Sequence, residues 1–471
     1  MFFESFLLNL AVLAALIVAL IFDYVTKFFS YWYIRHVPYK SPIPFFGSDY
    51  HRVLNLKSQS EEVNQLYSKY PNENFVGTIK SRIPELIVKD PDVIKKLLSA
   101  DFSNFHCRGI ELDKSRDVCI RNNLFYAEGE KWTLLREGLE SLLNNIDCEL
   151  EVRLHDCLSG TNGNVNVQQL LSEVLDTLFK DFLFEGMDDG LLITNTRKSI
   201  QNRTYMEKFK SYLKEIFPSL YVLFRLVTIP EQLTARTKET LSRSKLLMQI
   251  RKIGLTEQIN DNCRKGDNSR KVSEMEIAYS MVCLFITEGY IPCLNLITSL
   301  LFELARSPQT QETLRNCPIS DVDYLDLSIK EALRLHCPYS TITRKCVKSY
   351  QIPDNGMVID KKITVTVPIE AIHKDPKHYK EPHMFNPVRF LENEDVSRHP
   401  FAFLPFGAGP RKCIGEHLAM KIIRKVTMAI LKKYKIEVTE TTPQKLPVTD
   451  HNFMKIIKTE IWLKFTPLQS T

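Results

Sequence analysis

Ten residues near the carboxyl end restrict this chain more than any other stretch: Phe406-Gly-Ala-Gly-Pro-Arg-Lys-Cys-Ile-Gly415, a glycine-bearing loop that opens a helix. Past the loop, Leu418, Ile422, Val426 and Ile430 recur at every fourth position, the pattern of a helix with one buried face. Cys413 therefore sits where loop becomes helix, beside N–H donors that lack intrahelical partners and carry a partial positive charge. Both favour a thiolate over a thiol. Glycines at 407, 409 and 415 let the backbone approach a flat ligand without Cβ clashes. A cysteine before a helix is, by itself, most simply a buried core residue, so the pattern around it carries the argument.

That pattern, F-x-x-G-x-R-x-C-x-G, resembles without a mismatch the haem-binding loop of the cytochromes P450. The resemblance implies that Cys413 is the axial ligand to the iron of haem b, its thiolate pushing electron density that favours O–O cleavage. Phe406 and Arg411 belong to the same loop. Upstream, Glu331 and Arg334 stand three apart and share a helix face. An E-x-x-R pair means little by itself. Followed by Phe385-Asn-Pro-Val-Arg389-Phe390 and then the cysteine loop, it resembles the family's buried structural network, in which Glu331, Arg334 and Arg389 would lock the segment before Cys413. Trp132 and Arg136, one helical turn apart, match the pair that reaches a haem propionate in the family, the arginine by a charge-assisted hydrogen bond. Arg411 and Arg344, the latter in TITRKC, match further propionate-contacting positions.

The resemblance covers essentially all of the chain after its first segment. ADFSNFHCRG and AIHKDPKHYKEPHMFNPVRF are similar to microsomal members, particularly insect enzymes that handle xenobiotics and lipid-like compounds. It implies a mainly α architecture, the cytochrome P450 fold with small attached β-sheets, plus an N-terminal transmembrane helix. The implied activity is insertion of one atom of O2 into a lipophilic xenobiotic, hormone or lipid.

The chain departs from the family over the haem. The long apolar helix near Glu274–Arg306 carries Glu288-Gly-Tyr-Ile-Pro292 where the family has a small residue, Gly, any residue, an acid and an alcohol. Ile291 and Pro292 take the acid and alcohol positions, and the proline should kink the helix. Glu288 lies one turn before Pro292 on the same face, so Glu288 and Thr287 are the candidate catalytic residues. Glu288 would relay protons or, as in the family's fatty-acid ω-hydroxylase branch, be esterified to the haem. A carboxyl merely satisfied by Thr287 or nearby backbone is the plainer alternative. The same departure leaves two further readings open: an isomerase or dehydratase acting without O2, and a non-catalytic haem or lipid-binding membrane protein.

Ser5–Phe22 is an apolar run with only Ser5 and Asn9 polar, near the lower bound for crossing a bilayer. It lacks the basic start of a signal peptide; Lys27, Arg35 and Lys40 follow it, which would leave the catalytic body in the cytosol. We divide the chain into an anchor (1–26), a Pro-rich linker (27–47) in which Pro38–Gly47 is expected to be a stiff extended spacer, and a haem-thiolate catalytic domain (48–471). Tyr24, Trp32 and Tyr33 would suit the membrane interface. FVGTIK, ELIVK, SYQIP and KITVTVP read as strands, PDVIKKLL as a helix, and 159–164 and 261–270 as polar loops.

Eleven cysteines without zinc spacing read mostly as buried thiols. A formal charge of +6 over 471 residues gives no reason to expect nucleic acid. GAGPRK puts Lys412 where a dinucleotide-binding G-x-G-x-x-G needs its last glycine, so NADPH would act only indirectly. The expected donor is NADPH–cytochrome P450 reductase, with cytochrome b5 as a second partner, at the endoplasmic reticulum membrane. Lys412, Lys421, Arg424 and Lys425 would meet an acidic partner or form a solvated face. Phe209–Val227 is aromatic and basic enough to lie against the bilayer, or is an ordinary core helix pair.

Overall fold

The computed structural model describes residues 6–54, 56–80, 83–110, 112, 115–144, 161–184, 191–201, 204–227, 234–265, 271–316, 324–353, 356–391, 398–451 and 454–468. Its chain divides into two compact units: Met1–Gly109 with Ser340–Ile372 and Pro400–Ala402, and Ile110–Tyr339 with His373–His399 and Phe403–Thr471.

The first unit begins with a single helix, Phe6–Thr26, whose window Leu8–Thr26 buries nothing within the protein and is apolar enough to cross a membrane. Its sheet has the order Phe75–Lys80, Ile83–Val88, Thr364–Val367, Ile342–Lys345. Phe75 stands opposite Val88 in the antiparallel hairpin, Glu85 pairs in parallel with Thr364, and Ile342 faces Val367. Asp90 caps the helix Pro91–Lys95 by accepting from Asp92 N–H at 2.9 Å, and Pro91, lacking an amide donor, occupies the first turn.

Pro38–Gly47 does not stand free as a spacer, because it is bridged to the sheet, and the part of the linker before it is partly helical. Tyr31–Ile34 is helical, and strand bridges join Tyr39 to Gly77 and Gly47 to Lys80. Trp32, expected at the membrane interface, is 2% exposed, its indole N–H donating to Thr78 O at 2.8 Å. Position 77 must be glycine for this: a Cβ there would lie 2.4 Å from the Trp32 ring. Tyr24 and Tyr33 remain exposed.

The second unit is helical. Ser273 and Glu276 form a capping box that starts Glu274–Leu284; a π-helical stretch, Phe285–Tyr290, follows, and then Ile291–Arg306. The expected kink at Pro292 thus takes the form of a widened turn just before it. This stretch is also apolar enough to span a bilayer, but it is 78% buried inside the protein and forms its core. Val167–Phe184, Tyr324–Leu335 and Glu416–Lys433 pack into the same core. On the last of these Ile422, Val426 and Ile430 are buried, as the four-residue spacing requires.

Small sheets complete the unit. Trp462–Pro467 runs antiparallel between Gly163–Asn166 and Tyr434–Val438, and Val448–His451 pairs with Met454–Ile457. Two of the polar loops are therefore corrected. Gly163 and Asn164 begin an edge strand, and residues 261–265 end the helix Leu255–Lys265; positions 159–160 and 266–270 lie outside the described residues. An edge strand needs only one paired side and one partner, so polar GNVN serves there without alternating hydrophobicity.

Candidate active site

Every contact in this section lies within the second unit except those of Arg344. Gly407 and Gly409 adopt φ of +73° and +68°, a left-handed backbone that favours glycine. Gly409–Arg411 forms a 3-10 turn closed by Lys412 N–H to Gly409 O at 2.9 Å. Cys413 N–H donates to Phe406 O at 2.9 Å, folding the loop back on itself. The helix starts at Glu416 with Gly415 as its cap residue, so Cys413 lies just outside its first turn. Cys107, Cys119, Cys283, Cys293, Cys337 and Cys346 are buried, whereas Cys413 is exposed.

The arginine side chains around this loop gather on one indole. The guanidinium of Arg411 lies 4.6 Å from the Trp132 ring centre and that of Arg136 lies 5.8 Å from it. Arg411 Nη2 donates to Ala127 O at 2.7 Å; Arg136 Nη1 donates to Lys412 O at 2.9 Å and pairs with Glu140 at 2.7 Å. The helix Gly129–Asn144 carries Trp132 and Arg136 one turn apart, as expected. Cys293, on Ile291–Arg306, has its thiol pushed up to about 12 by burial, with the charge of Cys413 adding to it. Arg344 is in the first unit, buried on the strand Ile342–Lys345 and donating to Thr343 O at 2.9 Å. A loop that carries an exposed thiol and a guanidinium, with a second guanidinium bonded to its backbone and both against one indole, supplies a donor set that fits an iron porphyrin, which offers a metal and two carboxylates.

Behind the loop, Glu331 and Arg334 are fully buried and bonded twice, at 2.8 Å each, and Arg389 Nε donates to Glu331 Oε1 at 3.0 Å. Asn386 N–H donates to that same oxygen at 2.9 Å. Arg334 also donates to His373 O (2.7 Å), Pro382 O (2.6 Å) and Met384 O (3.2 Å). His373, which the sequence reading did not single out, accepts Leu404 N–H through Nε2 at 2.9 Å and so ties the network to the segment entering the cysteine loop. Only its place in AIHKDP hinted at it.

On the π-helical stretch, Glu288 accepts a hydrogen bond from the hydroxyl of Tyr339, another residue the sequence reading passed over. Thr287 does not satisfy Glu288: its hydroxyl turns back to Cys283 O at 2.8 Å. Tyr290 is anchored elsewhere, donating to Asp176 Oδ1 at 2.7 Å and contacting Ser172 O at 3.1 Å. Among the basic residues expected on a docking face, Lys412 pairs with Glu416 at 2.6 Å and Arg424 pairs with Asp326. Within Phe209–Val227 both readings apply in part. Phe209, Leu220, Leu223 and Phe224 are exposed, whereas Tyr221 is buried and donates to Asp117 at 2.8 Å.

Comparison with known proteins matches residues 192–463 to a family model described as "Cytochrome P450". Curated relatives include cytochrome P450 6B2 of Helicoverpa armigera, 27% identical over 97% of this chain and 98% of its own. Cytochrome P450 6B1 of Papilio polyxenes is 27% identical over 92% and 94%, and probable cytochrome P450 6a14 of Drosophila melanogaster 26% identical over 96% and 98%.

Proposed function

Because the chain belongs to the cytochrome P450 family and is a haem monooxygenase of the insect type, we propose that Cys413 holds the haem iron through its sulfur. The observation that carries this is the exposure of that thiol, on a left-handed glycine loop, while Cys107, Cys119, Cys283, Cys293, Cys337 and Cys346 are buried. Bound there, haem supplies the activation of dioxygen, one oxygen atom entering the substrate and the other leaving as water. Arg411 and Arg136 are the charged donors for its carboxylates, Trp132 spaces them, Phe406 folds the loop through its carbonyl, and Arg344 is assigned a further carboxylate contact by the family resemblance alone.

Glu288 is the proposed distal acid. It is the one carboxylate of the stretch 285–292, and it holds or yields a proton at its carboxylate oxygens. Ester formation with haem is the competing role; acid-stable haem after denaturing extraction supports it and free haem removes it. Thr287, its hydroxyl committed to Cys283 O, contributes to the shape of the turn more than to proton traffic.

Electrons are proposed to come from NADPH through a flavoprotein reductase, with cytochrome b5 as a second donor. The exposed helix Phe6–Thr26 and the exposed apolar side chains of 205–224 support an endoplasmic reticulum membrane setting and lipophilic substrates. The spectrum of the reduced, carbon-monoxide-bound protein tests the ligand. We expect a strongly red-shifted Soret band in the parent and its loss in Cys413→Ala; unchanged oxidation by Cys413→Ala would refute the assignment.

A further inference from the structure

We propose that Tyr339 is the positioning residue for the distal carboxylate, an inference that rests on Glu288 being the distal acid. The helix that carries Glu288 has no acid at 291 and no hydroxyl at 292, and Thr287 turns its own hydroxyl into the helix backbone. A group from the chain just past the helix Tyr324–Leu335 meets Glu288: the phenol of Tyr339 donates to Glu288 Oε2.

Both partners are held to one residue of a third element. Lys455, in the hairpin strand Met454–Ile457, donates its backbone N–H to Pro338 O at 2.8 Å, and its carbonyl accepts from the Asn295 side chain at 3.2 Å. Pro338 immediately precedes the tyrosine, and Asn295 lies seven residues after the glutamate. Phe125 stacks on the Tyr339 ring at 6.0 Å with 28° between the planes. On the other side, Tyr290 fixes the π-helical turn by its bonds to Asp176 and Ser172. The phenol is thus constrained in backbone, ring plane and hydroxyl, which is what delivery of one hydrogen bond to one carboxylate requires.

A phenol donor stabilises the ionised form of the carboxylate it meets. Removing it should raise the proton affinity of Glu288, so the pH limb that belongs to Glu288 should move to higher pH. The test uses the full-length, haem-loaded protein as parent, Tyr339→Phe, Glu288→Gln and the double variant. Thermal unfolding is followed from pH 5 to 9, and NADPH oxidation with a flavoprotein reductase is followed over the same range with 7-ethoxycoumarin as probe. We expect one limb to vanish in Glu288→Gln, the same limb to shift upward by about one pH unit in Tyr339→Phe, and the double variant to behave as Glu288→Gln. The melting-temperature changes of the two single variants should not add.

Superposition of the Tyr339→Phe profile on the parent, or simple additivity of the two melting shifts, would overturn the proposal. Should Tyr339→Phe fail to fold, Tyr339→His keeps an aromatic ring without the phenol; a Glu288-dependent limb displaced from its position in the parent supports the assignment, and a limb left at the parent position opposes it. The carbon-monoxide spectrum of each protein separates this outcome from the larger reading. A parent without the thiolate band defeats the haem-ligand assignment, whereas a parent with the band and an inert Tyr339 defeats only this inference.

Discussion

Replacing Glu331 by glutamine keeps the shape of the side chain and removes its charge from the centre of a buried network. In the parent, one carboxylate with no exposed surface serves Arg334 by two bonds of 2.8 Å, Arg389 by one of 3.0 Å, and the backbone N–H of Asn386. The glutamine amide retains one acceptor oxygen and turns two N–H donors toward guanidinium groups that are themselves only donors. Two buried cations are then left without a counter-charge, for which the expected loss is about 3–5 kcal/mol. Against a typical stability of roughly 5–15 kcal/mol this is a large fraction. With about 2.1 cal/mol/K of unfolding entropy per residue over roughly 330 residues in the second unit, the melting temperature should fall by about 4–7 °C. Scanning calorimetry of the haem-loaded chain measures it. Arg334→Ala should cost a similar amount, and the two together little more than either, since each removes the same pairing. A Glu331→Gln protein melting within about 1 °C of the parent, or additive losses in the double variant, would refute the view that this network is one electrostatic unit.

Three other outcomes follow from single contacts. Gly77→Ala places a methyl 2.4 Å from the Trp32 ring and should destabilise the first unit by about 1–3 kcal/mol, read as faster limited proteolysis between 27 and 47. Asp117→Ala removes both the cap on Cys119 N–H (3.1 Å) and the acceptor of the Tyr221 hydroxyl (2.8 Å); a loss of roughly 2–3 kcal/mol in denaturant titration is expected, more than Tyr221→Phe alone. Cys293, whose thiol titrates near 9 when unfolded and is pushed up to about 12 when folded, stabilises the fold fully below pH 9 and loses that contribution as pH rises toward 12. Cys293→Ala should therefore soften the alkaline fall in melting temperature across that window, and an identical fall in both proteins would contradict it.

What was legible in the sequence had a fixed local grammar. The loop around Cys413 announces itself because glycines, an arginine and a cysteine must recur at set offsets for the backbone to turn as it does, and the ensuing helix repeats its apolar face every fourth residue. Glu331 and Arg334 were legible through their order along the chain more than through their spacing. Tyr339 and His373 were not, because their significance depends on partners 51 and 31 residues away that no local pattern announces. Trp32 was misread for a related reason. An amphipathic ring after an apolar run suits a bilayer surface equally well until a glycine on a sheet strand makes room for it. The strand Gly163–Asn166 was missed since an edge strand with one paired side needs no hydrophobic alternation.

The burial of Trp32 has a mechanical consequence. From Thr26, where the exposed helix stops, to that indole the chain advances six residues, which even fully drawn out reach only about 20 Å. A headgroup layer is on the order of 5–8 Å deep on each side of a bilayer. An embedded helix would consequently keep the four-stranded sheet on a short leash, skimming the lipid surface with little freedom to tumble. Solutes dissolved in that lipid would meet it by searching a plane, not a volume.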